Sequence, residues 1–202
     1  MISDLVSKCR DFVKRILMTT DPVSQRRGFL IRPATAFDTD ALVNIAAGTA
    51  IFHPADIASL RTLLIKYHTD NKAEIGHAVV KLEEGRRILG FAYYSPILEE
   101  ADDLLGYAYS PYELNNRVFL LWWIAVVPDQ QAHGIGSRLL RYVEDDLRNH
   151  HEPCVLYIDT SSSQPYESAR QFYLKHGYEQ HTVWPDFYAD GYSRVTFRKR
   201  LS

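Results

Sequence analysis

Residues 131–136 read Gln-Ala-His-Gly-Ile-Gly, two glycines placed where an apolar run gives way to a helical pattern. Glycine lets a backbone come close to a ligand. The amides that open a helix have no carbonyl partners, point one way and favour an anion. A pyrophosphate fits that chemistry. A dinucleotide fingerprint would need glycine or alanine at position 139, where Leu139 stands, and a Walker loop would need Gly-Lys-Ser/Thr, where the chain has Gly136-Ser137-Arg138. About thirty residues further on comes Ala169-Arg170-Gln171-Phe172-Tyr173, closed by Gly177-Tyr178.

These residues need elements to hold them. Arg117 to Val127 reads as an apolar strand buried on both faces and stopped by Pro128. His133 to His150 is a helix with Ile135, Leu139, Leu140, Val143 and Leu147 on one side. Pro153 to Thr160 is a strand, and Tyr166 to His176 a helix closed by Gly177. Tyr178 to Trp184 and Tyr192 to Arg200 form a last hairpin joined by Pro185 to Gly191. Upstream lie a short strand at 29–33 and helices at 35–48 and 54–67. A hairpin, 77–82 and 88–94, turns at Gly85. A polar and aromatic connection spans 95–116, long for a plain loop. The order βααβββαβαββ implies a mixed sheet with helices on its faces.

Before that domain, Ile2, Leu5, Val6, Cys9, Phe12, Val13, Ile16 and Leu17 repeat at helical spacing. Residues 1–26 are therefore expected to be an amphipathic helical extension, with 27–202 as the main domain. Interspersed charges from Asp4 to Arg15 argue against a signal peptide and a basic membrane anchor. The longest apolar run, Val118 to Val127, is shorter than the about 20 residues a membrane-crossing helix needs. A cytoplasmic protein with no membrane partner is expected. Hydrophobic residues make up 46% and charged residues 24%, the range of a globular chain with a real core. The net charge is −2, with lysines and arginines scattered, which disfavours nucleic acid as a partner. Two cysteines without a CxxC, and eight histidines without an HExxH, give no metal site.

The stretch Ile124-Ala125-Val126-Val127-Pro128, then Gln131, Gly134 and Gly136, then Leu139-Leu140, resembles the GNAT superfamily of N-acetyltransferases. Its signature is Arg/Gln-x-x-Gly-x-Gly/Ala between the fourth strand and third helix. Ala169, Phe172, Tyr173, Gly177 and Tyr178 resemble the family's next helix, and Tyr166 stands where an asparagine is frequent. The resemblance implies a GNAT fold, α/β (α+β), with a mixed, mostly antiparallel sheet splayed between strands 4 and 5. It implies acetyl-CoA as co-substrate and no metal. The amides of Gln131, Ala132, His133, Gly134, Ile135, Gly136 and Ser137 would hold the CoA pyrophosphate. The backbone of Val126 and Val127 would pair with the pantetheine arm, and one of their N–H groups would hold the oxyanion. Tyr173 would sit beside the sulfur and protonate the leaving thiolate, which a phenol of reference pKa about 10 can do at neutral pH.

The general base is not evident, because residues 117–127 contain no carboxylate. Glu113, Asp159 and Asp186 are the candidates. Asp186 and Tyr188 in the last hairpin, and Tyr109 with Tyr107 and Tyr112 in the long connection, are expected at the acceptor. The leading reading is acetyl transfer to a primary amine of a small molecule. A protein or peptide acetyltransferase and a catalytically idle acyl-CoA-binding module are the alternatives. Many relatives are dimers, which allows a homodimer here.

Overall fold

The computed structural model describes residues 28–97, 117–151 and 153–202. The expected N-terminal helix, Glu113 and Tyr109 lie outside the described residues. The elements are β1 (Phe29–Pro33), α1 (Thr39–Gly48), α2 (Pro54–Thr69), β2 (Ala78–Glu84), β3 (Arg87–Pro96), β4 (Val118–Val126), α3 (Ile135–His151), β5 (Cys154–Ser161), α4 (Glu167–Lys175), β6 (Glu179–Ala189) and β7 (Tyr192–Leu201). The strand order is β1-β2-β3-β4-β5-β7-β6. Only β4 and β5 pair in parallel among the registered pairs. The mixed, mostly antiparallel sheet expected from the sequence is the one that forms.

The chain divides into two compact units, one up to Tyr94 with Trp123–Tyr142, the other Ser95–Trp122 with Val143–Ser202. β4 and α3 each give one half to either unit. In the first unit, Val79, Phe91 and Tyr93 face α1 and α2, with Leu42, Ala46, Leu60 and Leu64 buried against them. Successive strand residues point to opposite faces, so Gly90 faces the other way, toward Leu139 of α3. A Cβ at Gly90 would lie 2.7 Å from the Ala125 carbonyl and 3.0 Å from Leu139 Cδ1. Glycine is therefore required there for β3, β4 and α3 to approach. The 3-10 turn Ala36–Asp38 that leads into α1 is capped by Thr35, whose amide and hydroxyl both donate to Asp38. Asp38 also takes a hydrogen bond from buried Lys81 at 2.6 Å.

His77 and the Tyr93 hydroxyl share a hydrogen bond of 2.6 Å. Burial, then the charge of Lys72, lowers the His77 pKa to about 4. A neutral folded imidazole that charges more easily when unfolded stabilises the fold above pH ~6.5, and that stabilisation is lost as pH falls toward 4. The gap corresponds to about 3 kcal/mol, which partial contact with water trims to about 2 kcal/mol. Denaturant midpoints measured from pH 7 to 4.5 should fall, and His77→Gln should flatten that slope. His68 and His151 are lowered too, chiefly by burial, so an identical slope in the variant would assign the effect to them instead.

In the second unit, the β4–β5 ladder runs from Val118↔Val155 to Leu121↔Ile158 and stops there. Val118 to Leu121 are buried, as expected of a strand covered on both faces, whereas Trp122 is exposed. β5 pairs with β7 along its full length, Cys154↔Leu201 to Ser161↔Arg194. α4 and the end of α3 cover one face of this pair. Tyr173 packs on Phe197 at 5.7 Å, and Lys199 Nζ reaches Glu144 at 3.0 Å. The last hairpin departs from expectation. Residues 185–189, read as its connection, continue β6. The register with β7 shifts between Trp184 and Ala189, so Pro185 and Asp186 fall in a bulge, where an edge strand tolerates them.

Candidate active site

In the first unit, β4 runs into a short 3-10 turn, Pro128–Gln130, and then the glycine loop. Ala132 and Gly134 take positive φ, 62° and 81°. No atom lies within 4 Å of a Cβ built at Gly134, so that glycine serves backbone conformation and not packing. The ladder of α3 begins with Arg138 N–H donating to the Gly134 carbonyl at 3.0 Å. The amides of Gly134, Ile135 and Gly136 precede it, as a cradle for a diphosphate requires. His133 is exposed, with Nδ1 2.8 Å from the Gln131 carbonyl.

Val126 and Val127 separate by direction. Val127 N–H donates to the Leu89 carbonyl at 2.9 Å. The Ala125 carbonyl faces β3 at Gly90. Backbone groups alternate along a strand, so those of Val126 turn away from β3. Its carbonyl takes a hydrogen bond from Gln131 Nε2 at 3.3 Å. Val126 is thus the residue that can pair with an extended arm or hold an oxyanion, while the Val127 N–H belongs to the β3–β4 ladder.

In the second unit, Tyr173 on α4 is buried, with Tyr178 edge-on at 6.0 Å and Phe172 at 5.4 Å. Burial pushes its phenol up, so it stays protonated at neutral pH. No hydrogen bond to its hydroxyl occurs among the described residues. The α4 start, where the sequence has Tyr166 in place of asparagine, is ordered by Arg170. Its guanidinium donates to the carbonyls of Ser161 and Ser163, while the Ser163 amide donates to Ser161 Oγ at 3.1 Å.

Asp159 lies on the opposite face of β5 and β7 from Tyr173. Thr196 Oγ1 donates to it at 2.7 Å, and Thr196 and Phe197, which carries Tyr173, are successive residues. Burial raises the Asp159 carboxyl, outweighing the Thr196 hydrogen bond and the attraction of Arg194. Asp186 has φ 52° and accepts from the Gly191 amide at 2.7 Å, so it closes its own turn. Tyr188 is exposed and meets the Phe187 ring edge-on at 5.0 Å. Sequence reading missed Arg170, Thr196, Arg194 and Gly90. Their roles come from pairings between distant strands, apart from Arg170, whose spacing from Ser163 was a local signal. Among the described residues, no group of three metal-ligating side chains occurs, and no helix is long and apolar enough to cross a membrane.

The model of the acetyltransferase (GNAT) domain matches residues 74–180. No curated protein sequence matches the chain. Among solved structures, a protein of Desulfovibrio desulfuricans assigned to the GNAT family is 24% identical, with TM-score 0.73 over 86% of this chain and 99% of that one. The ribosomal-protein-S18-alanine N-acetyltransferase of Escherichia coli is 19% identical, with TM-score 0.64 over 86% and 94%. A protein of Salmonella typhimurium solved with its cofactor acetyl-CoA is 17% identical, with TM-score 0.64 over 87% and 95%. With more than half its length matched to the domain, the chain belongs to the GNAT acetyltransferases and is an acetyl-CoA-dependent enzyme.

Proposed function

We propose that this enzyme moves the acetyl group of acetyl-CoA to the primary amine of a small molecule by direct attack, with Asp159 as general base and Tyr173 as general acid. The observation that carries the reading is the glycine loop at the start of α3, directly after β4. The Gln131 amide, expected to join the cradle, instead donates to the Pro128 carbonyl at 3.3 Å because it closes the 3-10 turn; the amides that follow it, up to Ser137, hold the diphosphate, and the backbone of Val126 pairs with the pantetheine arm. Asp159 takes one proton from the ammonium, the neutral nitrogen attacks the thioester carbon and forms the C–N bond, and the nitrogen's second proton passes to water as the intermediate collapses. Val126 N–H holds the oxyanion. The C–S bond then breaks, and Tyr173 gives its proton to the sulfur. Burial raises a thiol as it raises a phenol, so acid and acceptor stay matched.

A lysine-like amine of pKa about 10.4 costs roughly 4–5 kcal/mol to deprotonate at pH 7. A carboxylate raised by burial is the better base for that step. Asp159→Asn is therefore expected to lower kcat/KM about thirtyfold at pH 7, with the deficit shrinking as rising pH supplies neutral amine. Thr196→Val is the control for the hydrogen bond alone. A pH-independent deficit, or none, would remove Asp159 from the mechanism.

Calorimetry with acetyl-CoA, followed by CoA release across a panel of free amines and peptides, tests the whole reading. Amine-dependent release is expected. Release with peptides alone would move the acceptor to proteins, and tight acetyl-CoA binding without any release would leave a binding module.

A further inference from the structure

We propose that the acceptor is a primary amine whose other end is a neutral aromatic ring, two or three carbons from the nitrogen, held by an aromatic face beside Asp159. The proposal rests on the reading that Asp159 meets the amine. Residues paired across strands share a face, and so do alternate residues along one strand. Asp159 pairs with Thr196 on β7, and Arg194 and Tyr192 follow on the same side. Trp184 of β6 pairs with Arg194 and joins them. Phe187 lies in the bulge, its ring centre 4.3 Å from the Arg194 guanidinium, and so belongs to the same face. Trp184 is 43% exposed, Phe187 43% and Tyr192 50%, which leaves large apolar groups open to water beside a carboxylate.

The spacing sets the reach of the acceptor. Trp184 stands two strands across and two residues along from Asp159. With strands about 4.8 Å apart and a rise of about 3.3 Å per residue, that is about 12 Å. A hydrogen bond from the amine takes about 3 Å of it, and ring contact at the far end about 4 Å. Roughly 5 Å remains between nitrogen and ring, the span of a two- or three-carbon link.

Arg194 decides the chemistry of the far end. It is buried, lies 4.8 Å from the Trp184 ring centre, and attracts the Asp159 carboxylate. A second ammonium would meet that cation where water is scarce, so polyamines and sugars bearing several amines are disfavoured. A neutral ring meets no such penalty, and aromatic pairs are favoured beyond the area they bury. The face is also set before contact. Arg194 stacks on two of its rings, and the Gly191 amide on Asp186, at 2.7 Å, fixes the bulge that carries Phe187. Rings held in advance lose little entropy on binding.

CoA release from acetyl-CoA reads the preference. 2-Phenylethylamine is expected to give a kcat/KM about fivefold above 2-cyclohexylethylamine, which has the same reach without the flat ring. It should exceed 1,5-diaminopentane about thirtyfold. Trp184→Ala should raise KM for 2-phenylethylamine about tenfold with kcat changed less than about twofold, and Trp184→Phe should recover most of the loss. Calorimetry of 2-phenylethylamine on the enzyme loaded with CoA should show the same tenfold loss without turnover. Trp184 is exposed, so both variants fold. Release that is equal across the three amines, or highest with the diamine, overturns this inference and leaves the acetyl-transfer reading standing. So does a Trp184→Ala variant with unchanged KM and affinity for 2-phenylethylamine. No release with any amine, while acetyl-CoA binds, removes both.

Discussion

Tyr173→Phe is expected to lower kcat about a hundredfold while acetyl-CoA affinity, read by calorimetry, stays within a factor of about two. The substitution keeps the ring that packs on Phe197 and Tyr178 and removes only the hydroxyl. That hydroxyl has no hydrogen-bond partner among the described residues, so its loss should barely move the thermal midpoint. Lost rate with intact binding and stability identifies a group that acts in the transition state. An unchanged kcat would mean that the thiolate leaves without Tyr173, and the mechanism above would lose its acid.

The largest stability effect is expected at Lys81. Its side chain is 8% exposed and lies 2.6 Å from Asp38 and 3.4 Å from Glu83, themselves 12% and 6% exposed. Arg32 reaches Glu83 at 2.7 Å from a largely exposed position. Burial alone would raise the Asp38 carboxyl, but hydrogen bonds from Lys81 and Thr35 outweigh it and hold it below the usual range. Lys81→Met fills the space and removes the cation, leaving two buried carboxylates to repel. A loss of roughly 3 kcal/mol is expected, because breaking a buried pair leaves an uncompensated charge. Chemical denaturation at pH 7 measures it. The deficit should shrink as pH falls through the carboxylate range, since protonation removes the repulsion. A neutral substitution at pH 7 would show that water already solvates the cluster.

Much of the fold was legible in the chain because hydrophobic period and punctuation agree. Pro54 opens α2, Gly85 turns β2 into β3 with φ 61°, and Pro128 follows β4, all where the sequence places them. β6 was cut short because Pro185-Asp186 reads as a turn, whereas the bulge at an exposed edge absorbs both. The glycine loop that opens α3 was legible because its parts are consecutive. The Asp159–Thr196 contact was not, since the register of β5 on β7 joins residues 37 apart. Nor could periodicity tell that Val126 rather than Val127 offers its backbone, which the pairing of Val127 with Leu89 decides.

Asp159 and Tyr173 stand on opposite sides of the same two strands. Each catalytic cycle would therefore strand a proton on one side and a negative charge on the other, and neither group can restore its counterpart directly. If both act as proposed, recovery would run through solvent twice, by separate routes. Once chemistry is fast, the regeneration of the resting enzyme becomes sensitive to buffer on both sides, and slow recharging would appear as a solvent isotope effect that added buffer erases.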